Sequence, residues 1–395
     1  MKYVVLIIDG AAGLPLPEHG GKTCLELAGT PNLDAMAREG TLGLARTVPP
    51  GMEPSSAAAC MSILGYDPRV YYRGRAAIEA RSMGIPIEEG EATFRCNLVA
   101  VAEGRMQSYS AGHISTEEAR GLIAALNRGL GDRAVRFYPG VSYRHLLKIK
   151  GGEATLRARC TPPHDIPDQP VAGYLPAGPG SQPLRELMAR SEAVLRDHPV
   201  NVARRARGDV PATMIWLFWG CGRVPEMPPF GELYGVRAAL TSGVDLLGGL
   251  ALMAGMAVLD IGGVTDGPDN DDAAQVAGAL AALEQQDLVV IHVEAPDEAA
   301  HAGSIEAKVA AIQRVDEVMV SRLRAWRPGE LRVLAMPDHP TPIERRTHTG
   351  GPVPFLLWGA GITANGAAAF SEAGAAGTGL FLEDGYNIMG RLVRP

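Results

Sequence analysis

Six side chains of the kind that bind divalent cations are spread over the chain, and each stands at the end of a short apolar run. Asp9 follows YVVLII, Asp297 and His301 follow LVVIHV, Asp338 and His339 follow LRVLAM, and His348 stands shortly before VPFLLW. Open α/β sheets place their ligands at the carboxyl ends of strands, so folding can gather such separated pieces. Asp297 and His301 are four apart, and a helical turn beginning after Pro296 puts both on one face. Carboxylates and imidazoles in this number suit two divalent ions.

Ser56 adds a hydroxyl that can bridge to one of those ions. It stands where the loop PPGMEPS turns into the small-residue run AAACMSIL. A serine there either caps the helix or is a nucleophile whose attacking oxygen and bound phosphoryl face free backbone N–H groups. Arg73 and Arg75 follow in YYRGRAAIEA, beside a flexible glycine corner. Their planar forks match a carboxylate or phosphate. Arg105, His113, Arg144, His164 and Asp165 lie in the middle of the chain and together suit a lid over an anionic substrate.

The elements that must position these residues follow an α–β rhythm. Tyr3 to Ile8 reads as a central strand, buried on both faces. Thr30-Pro31 opens a helix, and Gly40 to Val48 reads as a short strand. From about Thr93 to Val210 the texture changes to alternating segments, including Phe94 to Val101 and Ala154 to Ala158, with amphipathic helices at Thr116 to Arg128 and Leu184 to Arg196. Thr213 to Trp219 resumes the buried-strand pattern. A long small-residue helix is predicted over Ala238 to Met256, then a strand over Ala257 to Ile261, a helix over Asp271 to Gln285 and a strand over Leu288 to Val293. The expected fold is α/β: a layered metal-binding domain built from residues 1–92 and 211–395, with a smaller α+β lid domain, 93–210, inserted.

Composition agrees with two domains and a sizeable core, at 395 residues and 46% apolar. The formal net charge of −7 argues against nucleic acid as the main partner. Cys24, Cys60, Cys96, Cys160 and Cys221 are dispersed and form no CxxC, the usage of reduced thiols in a cytoplasmic protein. No run is long enough to span a membrane, and oligomeric state is not legible.

In LIIDG, TPNLD, SILGYDP, YRGR, AGHISTEEA, PDEAAH, PDH and THTGGPVP, the chain resembles the alkaline phosphatase superfamily, and within it the archaeal-type cofactor-independent phosphoglycerate mutases. The resemblance spans nearly the whole chain. It implies an alkaline phosphatase-like three-layer α/β/α domain with its inserted lid. It assigns Asp9, Ser56, Asp338 and His339 to one metal and Asp297, His301 and His348 to the other, with Ser56 as phosphoryl acceptor. Arg73, Arg75, Arg144, Arg223 and Arg237 then hold phosphate and carboxylate groups, Arg237 joining the catalytic set. His113, His164 and Asp165 face the substrate, with His164 or Asp165 transferring protons. The implied cofactors are two divalent ions, manganese or zinc, with magnesium a poorer match to three histidines. The implied partner is a small phosphorylated carboxylate, with neither nucleic acid nor membrane.

Three departures bear on the substrate. Ser55 and Ala57 flank Ser56 where the mutases commonly have Gly and an acid, which makes Ser55 a rival nucleophile. His113 stands where the archaeal enzymes tend to have Arg, and Arg237 where they generally have Lys. A homoserine kinase-like phosphotransferase or a metal-dependent phosphomonoesterase is the alternative reading.

Overall fold

The computed structural model describes residues 1–394, which divide into two compact units. One is formed by Met1–Tyr72 with Pro225 onward, the other by Arg73–Val224. In chain order the strands are β1 (Lys2–Ile8), β2 (Thr41–Ala45), β3 (Ala92–Ala102), β4 (Arg105–Ser108), β5 (Val135–Tyr138), β6 (Arg144–Ile149), β7 (Met214–Cys221), β8 (Ala238–Thr241), β9 (Ala257–Val258), β10 (Leu288–Val293), β11 (Leu331–Met336), β12 (Val353–Gly359) and β13 (Phe381–Leu382).

The first unit is built on an eight-stranded sheet of order β13-β2-β12-β11-β1-β10-β8-β9. β1 lies between two parallel neighbours, with Val5 opposite both Val290 of β10 and Leu334 of β11. Its residues Val4 to Ile8 are entirely buried. Consecutive burial means that both faces are covered, which is why the strand reads as an unbroken apolar run. β12 is antiparallel to both β11 and β2. Among the described residues, no helix is long and apolar enough to cross a membrane, and all five cysteines are free.

The second unit has a five-stranded antiparallel sheet in which the long β3 pairs with β4, β6 and β7, and β6 pairs with β5. Its core packs Phe94, Cys96 and Leu98 of β3 with Leu122 and Leu126 of the helix Thr116–Leu130 and Leu184 and Leu195 of the helix Ser181–Arg196.

Several expectations need correction. β7, over the run read as a return to the first domain, pairs with β3, and Arg73–Ser82 also lies in the second unit. That unit therefore extends beyond 93–210 at both ends. Ala238 to Thr241 is strand β8, parallel to β10, and the helix begins only at Asp245. Four buried residues running into a helix of similar composition leave no periodicity to separate them. Ala154 to Ala158, read as a strand, forms a 3₁₀ turn over Glu153–Arg157.

Candidate metal centre and active site

Strand direction decides which residues meet. Ile8 pairs with Val293 and Ile7 with Met336, so Asp9, Glu294 and Asp338-His339 leave their strands at one edge of the sheet. The antiparallel β12 begins at that same edge, with Leu356 opposite Ala335, and His348 arrives just ahead of it. β2 ends there too, Ala45 opposite Val353, and feeds the loop that leads into the helix Ser56–Ile63.

Asp9, Asp338 and His339 form a fully buried group. His339 Nε2 lies 3.1 Å from Asp338 Oδ2, 3.7 Å from Asp9 Oδ1 and 3.2 Å from Ser56 Oγ. Asp338 Oδ1 accepts the backbone N–H groups of Gly10 at 3.1 Å and His339 at 2.7 Å, which turns Oδ2 into the site. Gly10 has φ +60°, and a Cβ there would collide with Asp297, so only glycine lets the two loops approach this closely. Burial, with the charges of Asp338, Glu294 and Asp297 added, pushes the Asp9 carboxyl well above the usual range.

Asp297, His301 and His348 form a second group. The helix Ala295–His301 begins at the proline-containing turn and puts Asp297 and His301 one turn apart. Asp297 Oδ2 lies 3.0 Å from His301 Nε2 and 3.4 Å from His348 Nε2, and the two Nε2 atoms are 3.0 Å apart. His301 Nδ1 donates to the Arg346 carbonyl at 2.9 Å, so the neutral ring presents its lone pair at Nε2. Burial raises the Asp297 carboxyl, but hydrogen bonds from His301 and His348 outweigh it and hold the group well below the usual range. The same bond raises His301 to about 9.

Both groups fit divalent metals. Metal bonds of about 2.0–2.1 Å define a tetrahedron with edges of about 3.3 Å, and the three donors of the second group are separated by 3.0–3.4 Å. In the first group, the buried Asp9 Oδ1 has no hydrogen-bond partner, as befits an oxygen reserved for a cation.

Two neighbours escaped the sequence reading. His292 Nε2 lies 2.7 Å from Asp9 Oδ2, and its Nδ1 is 2.9 Å from Ser242 Oγ. Glu294 Oε2 is 3.5 Å from His292 Nε2. Burial lowers His292 to about 4 and raises Glu294 to about 8. A histidine inside the run LVVIHV was the available signal, because a polar ring in a doubly buried strand needs a partner.

The two serines separate by geometry. Ser55 is the N-cap, its hydroxyl accepting the Ala58 N–H at 3.3 Å. Ser56, at the first helical position, is left to face His339. Cys60, one turn on, places Sγ 3.8 Å from Asp338 Oδ2.

Within the second unit, four of the expected substrate residues share one aromatic cluster. Arg75 lies 5.6 Å from the Trp219 ring and His164 lies 5.4 Å from it. Tyr109 links His164, at 6.3 Å, to Tyr143, at 6.0 Å. Tyr143 in turn meets His113 at 6.3 Å and the Arg144 guanidinium at 5.7 Å. Burial lowers the pKa of His164, and Asp165, 3.8 Å away, offsets part of that. Arg73 and Arg223 are exposed near the ends of this unit. Sequence reasoning missed Arg95 of β3, which is 5% exposed and lies 5.5 Å from the Trp219 ring. Trp219 has φ +46°, beside an irregularity in the β3–β7 register.

Arg237 is the expected site residue that the fold places elsewhere. It immediately precedes β8, and its guanidinium pairs with Asp287 at 3.3 Å, with its side chain 69% exposed. Asp287 immediately precedes β10, which runs parallel to β8. Both therefore sit at the edge of the sheet opposite Asp9, Glu294 and Asp338.

An α/β sheet gathering two carboxylate–imidazole groups beside a serine defines a metal-dependent phosphotransferase. A family model described as 2,3-bisphosphoglycerate-independent phosphoglycerate mutase matches residues 37–201. The chain is 47% identical to the enzyme of that name from Methanothrix thermoacetophila, over 100% of both chains. It is 46% identical to a probable one from Geobacter sulfurreducens, over 98% of both. Among solved structures, the PH0037 protein from Pyrococcus horikoshii matches with a TM-score of 0.82 at 28% identity, covering 99% of this chain and 97% of that one. The cofactor-independent phosphoglycerate mutase from Thermoplasma acidophilum shares the fold, with a TM-score of 0.66 at 24% identity over 100% and 99% of the two chains. The chain belongs to the 2,3-bisphosphoglycerate-independent phosphoglycerate mutase family.

Proposed function

We propose that the protein interconverts 3-phosphoglycerate and 2-phosphoglycerate through a phosphoserine on Ser56, without bisphosphoglycerate. The observation that carries this reading is the Ser56 hydroxyl, released from capping by Ser55 and 3.2 Å from His339 Nε2. Asp9, Asp338 and His339 with Ser56 would hold one divalent ion, and Asp297, His301 and His348 the other. Such ions lower the pKa of a bound hydroxyl and stabilise charge on phosphoryl oxygens. Three imidazoles among the ligands favour manganese or zinc over magnesium.

In the first step Ser56 Oγ forms a bond to phosphorus, and the bond to the substrate oxygen breaks, leaving phosphoserine and glycerate. In the second step the other glycerate hydroxyl attacks the same phosphorus and frees Ser56. Arg73, Arg75, Arg144, Arg223 and His113, with Arg95 added, are the proposed holders of the carboxylate and phosphate. His164, whose lowered pKa favours the neutral ring, is the better of the two proposed proton carriers, and Asp165 adjusts it. A cytoplasmic location is part of the same proposal.

The test supplies metal-loaded protein with 3-phosphoglycerate, omitting bisphosphoglycerate and ATP, and looks for 2-phosphoglycerate. Failure to form it with either manganese or zinc would overturn the reading. Free phosphate alone would identify a phosphomonoesterase, and transfer from ATP to homoserine would identify a kinase.

A further inference from the structure

Thr341 stands between the two metal-binding groups and was assigned no role by its sequence. It is fully buried. Its Oγ1 lies 2.5 Å from Asp297 Oδ1, in the second group, and 3.2 Å from His339 Nδ1, in the first. We propose that the Thr341 hydroxyl is a shared positioning group that orients one ligand of each metal and fixes the tautomer of His339. The proposal rests on the two-metal reading given above.

The proton count fixes the direction of both bonds. A ligating carboxylate only accepts, so the single hydroxyl proton of Thr341 goes to Asp297. The short separation is that of a charge-assisted O–H···O⁻ bond. The remaining contact, to His339 Nδ1, then requires the ring to donate. His339 therefore carries its proton on Nδ1 and turns an unprotonated Nε2 towards Asp338 Oδ2, at 3.1 Å, and Ser56 Oγ, at 3.2 Å. Had Nδ1 been the acceptor, the hydroxyl would have lost its bond to Asp297, and Nε2 would carry a proton that blocks ligation.

The backbone beneath Thr341 is held independently of its hydroxyl. Its N–H donates to the Ala12 carbonyl at 3.0 Å. Its own carbonyl accepts the buried Lys308 ammonium at 2.9 Å, and the same ammonium donates to Ala12 O at 3.0 Å. Lys308 thus ties the loop after β1 to the loop after β11. A valine at 341 keeps shape and backbone bonds, and removes only the hydroxyl.

The experiment titrates manganese into metal-free wild type, Thr341→Val and Thr341→Ser, and records the ¹⁵N signals of the His339 ring in wild type and Thr341→Val. Wild type should bind two ions and show the Nδ1–H tautomer. Thr341→Val should bind both ions more weakly, by about 10–100-fold each as for other outer partners of metal ligands, with the His339 tautomer mixed. Thr341→Ser should restore both. Two unchanged affinities in Thr341→Val, or an Nε2–H tautomer in wild type, would overturn the role of Thr341 while leaving the two-metal reading standing. A wild type that binds fewer than two ions would overturn that reading and this inference with it. The wild-type ring signals decide the tautomer even if Thr341→Val fails to fold.

Discussion

His301 Nε2 and His348 Nε2 lie 3.0 Å apart, and both face the same Asp297 oxygen. Two imidazole lone pairs cannot share that space with a carboxylate unless a cation or a proton stands among them. Without metal the proton does so, and its hydrogen bond to Asp297 raises His301 to about 9. A metal bound to this group would therefore compete with the proton for His301. Affinity at this group should rise about tenfold per pH unit towards pH 9 and level off above it, one proton being released on binding. Manganese titrations in buffers of different ionisation enthalpy read both quantities. The sign for the metal-free fold is opposite. A folded pKa above the ordinary 6.5 means that this pair stabilises fully below 6.5 and is lost as pH rises through about 9. The metal-free Tm contribution should therefore fall over that interval. A pH-independent affinity would show that His301 is not a ligand.

Ser55 and Ser56 should part company on mutation. Ser55→Ala removes the hydroxyl that accepts the Ala58 N–H and should cost about 1 kcal/mol of stability, a typical N-cap loss, while transfer persists. Ser56→Ala should fold with little change and abolish transfer. Acid-quenched wild type, digested and weighed by mass spectrometry, should carry phosphate on Ser56. Phosphate on Ser55 would reverse the assignment.

The residues of the two carboxylate–imidazole groups could be picked out because each lies near the end of an apolar strand, and strand ends are where an open sheet exposes polar groups. Which sheet a strand joins was not legible. The run beginning at Thr213 is as apolar as a central strand of the first unit, yet β7 pairs with β3, a choice made by partners far away in sequence. Thr341 was invisible for a related reason. Its hydroxyl has meaning only because Asp297, 44 residues away, folds against it. Ser55 and Ser56 were ambiguous because a cap and a nucleophile occupy adjacent positions and differ only in what faces them.

Arg237 is the sharpest test of geometry against resemblance. It precedes β8, at the sheet edge away from Asp9, and pairs with Asp287 at the surface. Arg237→Ala should leave kcat and KM within about twofold and cost about 0–1 kcal/mol of stability, the usual worth of an exposed pair. A hundredfold loss of kcat would show that Arg237 acts in the reaction, as the resemblance implies.

Arg95 should prove to be a substrate residue of the second unit. Its guanidinium shares the Glu79 carboxylate, at 3.3 Å, with Arg75, at 3.0 Å, and its buried Nε has no hydrogen-bond partner. It lies 5.7 Å from the Phe218 ring and 5.5 Å from the Trp219 ring, and burial lowers it to about 10. One carboxylate between two arginines, with Arg144 adding further positive charge, leaves an unmet demand for an anion. A charged hydrogen bond is worth about 1.5–3 kcal/mol, so Arg95→Leu should raise KM for the phosphorylated carboxylate roughly 10–150-fold and change kcat much less. Arg95→Lys should recover little, because an ammonium lacks the planar fork. Circular dichroism separates this outcome from misfolding, since burying leucine in place of a half-paired cation need not cost stability. If KM stays at the wild-type value while the variant is folded, Arg95 serves only to hold Glu79 and Trp219 in place.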